Sequence, residues 1–238
     1  HMAQSREFLD KEIEKAREEY EASPEVAGKV DSLVEALLKI EEDGCENEAV
    51  DVLKKAHANT GTYRFKMRMD DIRTRQMRRR YNKLKAAGED QSAAAVAREL
   101  LAFELKMYAE RAENYPTDMP IKFDLGYRQL LAGQIDEAIA SLQQAQRDPK
   151  RRVHALNYLG QAFEKKGWHD VAVETYEKAL QHDPSEERSK EIHYNMALSL
   201  KAMDEKEKAL DHFSQVAQMD YKFRDVRERI EVLRKELE

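Results

Sequence analysis

Apolar residues recur at helical spacing along most of the chain, most clearly between residues 153 and 184. Leu156, Leu159 and Phe163 are three and four residues apart, so they share one face of a helix. Gly167 follows this stripe, and a second stripe comes after it, formed by Ala172, Tyr176 and Ala179. The pattern predicts two antiparallel helices that are joined at Gly167 and closed by Pro184.

The same arrangement recurs on both sides of this unit. It appears about 34 residues earlier, at Leu125, Gly126, Gly133, Ala138, Leu142 and Ala145. It appears again about 37 residues later, at Met196, Ala197, Leu200, Asp204, Ala209, Phe213 and Val216. Three units at a near-constant period indicate a stacked array of helical hairpins.

The N-terminal half carries weaker copies of the pattern. One copy has its small and apolar positions at Leu33, Ala36, Leu37, Ile40, Gly44, Ala49, Leu53 and Ala56. Two longer helical stretches follow, about Tyr63–Ala87 and about Gln91–Tyr115, joined near Gly88. One opening helix is predicted from the stripe Phe8, Leu9, Ile13, Ala16 and Tyr20. One closing helix is predicted over Asp225–Leu237, and its polar outer side suits the end of an array.

These units resemble the tetratricopeptide repeat, whose pattern is W-x2-L-G-x2-Y, then A-x3-F, then P. In the clearest unit Leu156 replaces the first aromatic residue, and the other positions match well. The resemblance implies an all-α fold, a right-handed α-solenoid of about five antiparallel hairpins with a C-terminal capping helix. The predicted divisions are 1–61 (a helix plus a degenerate repeat), 62–116 (an extended hairpin), 117–222 (three regular repeats) and 223–238 (the cap).

Composition agrees with a helical chain. Only 8 Gly and 5 Pro occur in 238 residues, which disfavours the many turns of a β-rich fold. The formal net charge of −6 argues against a dedicated nucleic-acid binder. Neither a signal peptide nor an apolar run long enough to span a bilayer is present, so we expect no membrane insertion. The opening His1-Met2 is typical of a cloning remnant, so the native N-terminus is expected to differ from it; the predicted location is cytoplasmic.

The resemblance also implies where a ligand would bind. In tetratricopeptide arrays the first helix of each hairpin lines a concave groove. The family's groove positions carry over to eleven residues of the three regular units, Asp124, His154 and Lys201 among them. We take the other eight as candidate ligand contacts. They are Phe123, Tyr127, Asn157, Tyr158, Gln161, Tyr194, Asn195 and Leu198. Asn and Gln amides can both donate to and accept from a peptide backbone, and Tyr offers rigid contact area. Ordinary solvent-facing residues of a helix layer are the alternative interpretation.

A second candidate is a basic stretch in the extended hairpin. Its positions equivalent to the groove are Arg75, Arg78, Arg79, Asn82 and Lys85, and arginine pairs well with carboxylates and phosphates. Three interpretations stay open: a solvated surface paired with the acidic N-terminal region, an acidic protein ligand, and nucleic acid. The N-terminal acidic residues are Glu12, Glu14, Glu18, Glu19, Glu41, Glu42 and Asp43. A chaperone-type carboxylate clamp is not expected, because Asp124 occupies a position where the clamp requires asparagine.

No catalytic motif is apparent. The histidines lack metal-ligand spacing, Gly-rich phosphate loops are absent, and Cys45 has no activating basic neighbour in the sequence. We therefore predict a non-catalytic protein-interaction scaffold without cofactors, which binds a protein or extended peptide whose identity stays unknown. A nucleic-acid-binding repeat that uses the basic helix at 64–85, or a self-assembling scaffold, is the alternative.

Overall fold

The computed structural model describes residues 2–238, with side chains described from Arg6 onward. Every regular element within this range is an α-helix, which confirms the predicted all-α class. The helices are α1 (Met2–Ala22), α2 (Ala27–Leu38), α3 (Asp43–Thr60), α4 (Tyr63–Ala86), α5 (Asp90–Asn114), α6 (Met119–Leu131), α7 (Ile135–Ala145), α8 (Arg152–Lys165), α9 (His169–Leu180), α10 (Glu186–Ala202), α11 (Lys206–Met219) and α12 (Val226–Leu237).

The chain forms two compact units that divide between Phe103 and Glu104, within α5. The predicted divisions at 1–61, 62–116, 117–222 and 223–238 stay a prediction. The two predicted long stretches correspond to α4 and α5, each within a residue of its predicted bounds. Between them Gly88 adopts the left-handed conformation, with φ of +74°, which a residue without Cβ reaches without strain.

In the N-terminal unit, α1 to α4 pack in sequence against their neighbours. Their buried core is continuous and includes Val30, Leu33, Leu37, Leu53, Phe65 and Ile72. From the predicted α1 stripe, Ile13 is buried and Leu9, Ala16 and Tyr20 pack against this core. Phe8 instead stays 62% exposed. The apolar face of α1 is therefore narrower than its sequence predicts.

In the C-terminal unit, three hairpins follow one another: α6 with α7, α8 with α9, and α10 with α11. Each hairpin packs on the next, and α12 covers the last one. One core runs through all three hairpins and the cap, from Phe123 to Leu233. The first helices of the hairpins, α6, α8 and α10, also contact one another in order. We call the side that these three helices form the first-helix face.

Glycines have two roles in these hairpins, at the turns and at a close helix contact. Gly133 and Gly167, which follow α6 and α8, both have φ of +77°, a left-handed helix end that favours glycine. At the equivalent point after α10, Asp204 takes φ of +61°. Gly160 on α8 serves a different purpose, because a Cβ there would lie 2.7 Å from Cζ of Tyr176 on α9. Its missing side chain lets the two helices approach closely.

Candidate functional site

The first-helix face carries a cluster of aromatic rings that joins α6 to α8. Tyr127 and Tyr158 stack with their ring centroids 4.6 Å apart, and Phe123 lies 5.9 Å from Tyr158. His154 meets the edge of Phe123 at 6.2 Å. Tyr127 and Tyr158 are half-buried, so part of each ring is accessible to a ligand. We call Phe123, Tyr127, His154 and Tyr158 the aromatic cluster.

The helix α6, which carries Phe123 and Tyr127, has a well-defined N-terminus. The carboxylate of Asp118 accepts a hydrogen bond from the backbone N–H of Ile121 at 3.0 Å, and Pro120 lies in the first turn. Three residues after Pro120, Phe123 is buried, whereas Tyr127, one turn further on, reaches the surface. The cap therefore defines the residue at which α6 begins.

Charged groups surround the aromatic cluster. Asp124 lies 3.4 Å from Arg128 and 3.5 Å from Arg151, while the Arg151 guanidinium stacks 5.0 Å above the Phe123 ring. Burial raises the pKa of Asp124, and the two arginines oppose that effect. Burial likewise raises the pKa of Tyr158 and lowers the pKa of His154. This part of the face is therefore partly desolvated before any ligand arrives.

Two more arginines extend the charged border along the face. Arg188, in the first turn of α10, lies 3.6 Å from Glu191. Arg224, just before α12, lies 3.9 Å from the same carboxylate and stacks 4.8 Å above the Tyr194 ring. The carboxylate of Glu191 is therefore shared by two guanidinium groups. Arg151, Arg188 and Arg224 were missed by the groove positions, although they recur at nearly the period of the repeats.

The two predicted groove asparagines are buried and bind each other. Asn195 on α10 donates from Nδ2 to Oδ1 of Asn157 on α8 at 3.2 Å. Asn157 has no exposed surface, and its own Nδ2 finds no hydrogen-bond partner among the described residues. The structure therefore places these amides beneath the face, where they link adjacent first helices.

The other predicted groove residues differ in accessibility. Tyr194 is buried, and its hydroxyl donates to the carboxylate of Asp225, which holds the ring in place. Gln161 and Leu198 are half-buried, and Leu198 packs against the core. Only part of the predicted set, chiefly Tyr127, Tyr158, Gln161 and Leu198, is thus open to solvent.

The basic residues of α4 form ion pairs within the N-terminal unit. Arg79 lies 2.5 Å from Asp43 and 2.6 Å from Glu46, and Arg75 lies 3.7 Å from Glu46. Glu46 is only 1% exposed, and the hydrogen bond from Arg79 is the main cause of its lowered pKa. Arg68 pairs with Asp31 at 3.2 Å. The acidic partners are on α2 and α3, and Asp43 is the one predicted acidic residue among them.

The remaining members of this basic set are exposed. Lys85 pairs with Asp90 across the α4–α5 turn at 2.6 Å, and Arg78 and Asn82 lie on the surface of α4. Next to Arg79 there is an open cleft of about 570 Å³ between α3 and α4. Arg80 and Lys83 line it, although neither belongs to the predicted ligand set.

Comparison with known proteins agrees with the helical-hairpin fold. Residues 153–186 match the family model described as tetratricopeptide repeat, and this range covers the unit that the apolar spacing predicts most clearly. Residues 153–186 therefore form a tetratricopeptide repeat. No curated protein matches the chain.

Solved structures share the tetratricopeptide-repeat fold at low sequence identity. The crystal structure of YrrB, described as a TPR protein with an unusual peptide-binding site, is 15% identical, with a TM-score of 0.63. The match covers 91% of this chain and 97% of YrrB. A MamA protein is 17% identical, with a TM-score of 0.51, over 82% of this chain and 94% of MamA. MamA from Desulfovibrio magneticus RS-1 is 18% identical, with a TM-score of 0.50, over 82% and 95%.

Two further observations concern other kinds of site. None of the described helices combines the length and the apolar character that crossing a membrane requires. The described side chains also contain no group of three or more His, Cys, Asp or Glu residues that could hold a metal ion. Cys45 lies in the first turn of α3, and burial raises the pKa of its thiol.

Proposed function

We propose that this tetratricopeptide-repeat protein is a non-catalytic interaction scaffold that binds an extended peptide segment across the first-helix face. The observation that carries the proposal is the stacked, half-exposed pair Tyr127 and Tyr158, which bridges α6 and α8. A ligand that contacts both rings must lie across successive hairpins. Tyrosine gives much contact area and loses little side-chain entropy on binding. The peptide-binding site named for YrrB supports this kind of use for the fold.

We further propose that the bound segment is acidic. Arg151, Arg188 and Arg224 border the face, and two of them share Glu191 as their carboxylate. A guanidinium that already stacks on an aromatic ring keeps N–H donors at its edge for a ligand carboxylate. Gln161 offers an amide that can pair with peptide backbone. Asn157 and Asn195 support the face from beneath by linking α8 to α10.

We do not extend the proposal to the basic residues of α4. Arg79 is already paired with Asp43 and Glu46, and Arg75 with Glu46. A ligand carboxylate or phosphate would have to replace those carboxylates, one of which is buried. These contacts favour the interpretation of α4 as a surface that is paired within the chain.

The test is a peptide-display selection against the whole chain, followed by affinity measurements on the enriched peptides. Tyr158→Ala removes one ring of the stacked pair, and Tyr221→Ala is its matched control, because Tyr221 is an exposed tyrosine outside the face. We expect enriched acidic peptides to bind the wild type and the control, and to bind Tyr158→Ala at least tenfold more weakly. Equal affinity of all three proteins would contradict the proposed site.

Charge is tested separately with Arg188→Glu/Arg224→Glu. Its matched control is Arg227→Glu/Arg234→Glu, which makes the same charge change at exposed residues of α12. The first pair of substitutions is expected to abolish binding, and the control to keep it within about threefold, because solvent and salt screen distant exposed charges. Selected peptides without an excess of Asp and Glu would show that the ligand is not acidic.

A further inference from the structure

A second surface lies between α9 and α11, the second helices of the last two hairpins. An open cleft of about 370 Å³ separates these helices, and its floor is formed by α10. The floor is apolar: Met196 and Leu200 lie at the bottom, and Met203 is 38% exposed at one end. Methionine is flexible and polarisable, so such a floor can adapt to apolar side chains of different shapes.

The rim of this cleft is acidic. Asp170 and Glu177 contribute carboxylates from α9, and Asp211 contributes one from α11. All three residues are exposed, and none of them forms an ion pair or a side-chain hydrogen bond with a side chain that the structure describes. The cation Lys208 also lines the cleft, but it pairs with Glu205. The cleft therefore combines an apolar floor with three carboxylates that form no direct ion pair with the described side chains, although Lys208 and His212 lie near enough to interact with Glu177 electrostatically.

The cleft between α9 and α11 is a different surface from the first-helix face. Leu198 of α10 belongs to that face, whereas Met196 and Leu200 of the same helix, and Met203 directly after it, belong to the cleft. On the first-helix face, by contrast, Asp124 and Glu191 are both paired with arginines. Like charges left unpaired around an apolar cleft repel one another, and a bound cation would relieve this repulsion.

We propose that the α9–α11 cleft is a second binding site, and that its occupant is a basic segment of another protein in which Lys or Arg residues flank an apolar side chain. The apolar side chain would cover Met203 and the buried floor, and the flanking cations would lie against Asp170, Glu177 and Asp211. The volume of the cleft suits one or two side chains, so the expected ligand is a short linear segment. This site does not depend on the peptide proposed for the first-helix face.

The test uses fluorescein-labelled model peptides and anisotropy at about 0.15 M salt, where weak long-range attraction is screened. The probe is a ten-residue peptide of Lys and Leu. Two comparison peptides replace every Lys by Glu, or every Leu by Ser. The wild type should bind the Lys/Leu peptide, and binding should fall at least tenfold for both comparison peptides.

Matched variants locate the binding. Glu177→Lys/Asp211→Lys reverses two rim charges, and Glu174→Lys/Glu207→Lys makes the same change at exposed residues on the same two helices outside the cleft. The rim variant should lose at least tenfold in affinity, and the control should lose less than threefold. Met203→Ser leaves the rim charges unchanged and should lower the affinity for the Lys/Leu peptide several-fold, because it removes apolar surface from the floor. All substituted residues are exposed, so melting curves should stay close to the wild type.

Several results would overturn the proposal. Equal losses in the rim variant and its control would mean that only overall charge attracts the peptide. Equal binding of the Lys/Ser peptide would remove the role of the apolar floor. No binding of the Lys/Leu peptide up to about 1 mM, which corresponds to roughly −4 kcal/mol, would exclude the site. Concentration-dependent light scattering that the rim variant abolishes would identify a second copy of this chain as the occupant instead.

Discussion

The close approach of α8 to α9 at Gly160 leads to a quantitative prediction for Gly160→Ala. The added Cβ would lie 2.7 Å from Cζ and 2.8 Å from Cδ1 of Tyr176, whereas carbon atoms pack best at about 3.5–4.0 Å. Tyr176 cannot easily move away, because its side chain has no exposed surface and its hydroxyl donates to Glu164 at 3.2 Å. The helices must therefore separate, or the ring must leave its preferred position.

Two opposing terms set the magnitude. Alanine favours the helix over glycine by about 1 kcal/mol. Overpacking a well-filled core costs about 1–3 kcal/mol, and the upper end applies here because the obstructing atoms belong to a rigid, fully buried ring. The net loss of unfolding free energy is therefore about 1–2 kcal/mol. With an m value of about 2 kcal/mol/M in urea, this corresponds to a midpoint lower by roughly 0.5–1 M.

The assay is urea denaturation of the whole chain, followed by circular dichroism. Gly28→Ala is the control, because a Cβ at that helical glycine meets no atom within 4 Å, and its midpoint should stay equal or rise. In a Tyr176→Leu background, which removes the ring, Gly160→Ala should cost much less than in the wild type. An equal cost in both backgrounds, or no cost at all, would refute the steric reasoning.

Three other perturbations test the ion pairs, the histidines and the helix cap. Arg79→Ala should destabilise the chain by about 1–3 kcal/mol in thermal melts, because buried Glu46 loses its main partner. Arg80→Ala is the control: it removes only an exposed ion pair and should change stability by under about 0.5 kcal/mol. Burial lowers the pKa of His193 to about 4. Between pH 6.5 and 4 the unfolded chain therefore binds a proton that the folded chain does not, and the free energy of unfolding should fall by about 1–2 kcal/mol. The variant His193→Gln should reduce this loss. Asp118→Ala should lower the free energy of unfolding by about 0.5–2 kcal/mol in urea titrations, and no change would exclude its capping role.

The repeat could be predicted from the sequence because a buried helix face requires apolar residues at helical spacing, and a close helix contact requires a small residue such as glycine. Leu156, Leu159 and Phe163 had to share a face, and all three are buried. The glycine at 160 had to permit close approach, and its neighbour is indeed a buried ring. The family positions also identified Tyr127 and Tyr158, which the structure stacks against each other.

The details of the candidate site depend on how deeply each side chain is buried and on pairing between residues far apart in the sequence. Residue spacing does not encode either property. Asn157 and Asn195 occupy groove positions of the family, yet only the packing of α8 against α10 decides that they bind each other below the surface. For Arg79, Asp43 is among the acidic candidates named from the sequence, but the buried partner Glu46 is not. The α9–α11 cleft was likewise missed, because its floor and rim come from three separate helices.

The buried pair Asn157 and Asn195 also limits how this array can change in length. The hydrogen bond joins residues 38 positions apart, one in each of two adjacent hairpins. A repeat inserted between them would separate the two amides and leave buried polar groups without a partner, at about 1–3 kcal/mol each. A repeat inserted between α7 and α8 would leave the bond intact. The junction between the last two hairpins is thus the costlier place for duplication or for repeat shuffling in protein engineering, and these hairpins behave as a pair with a fixed order.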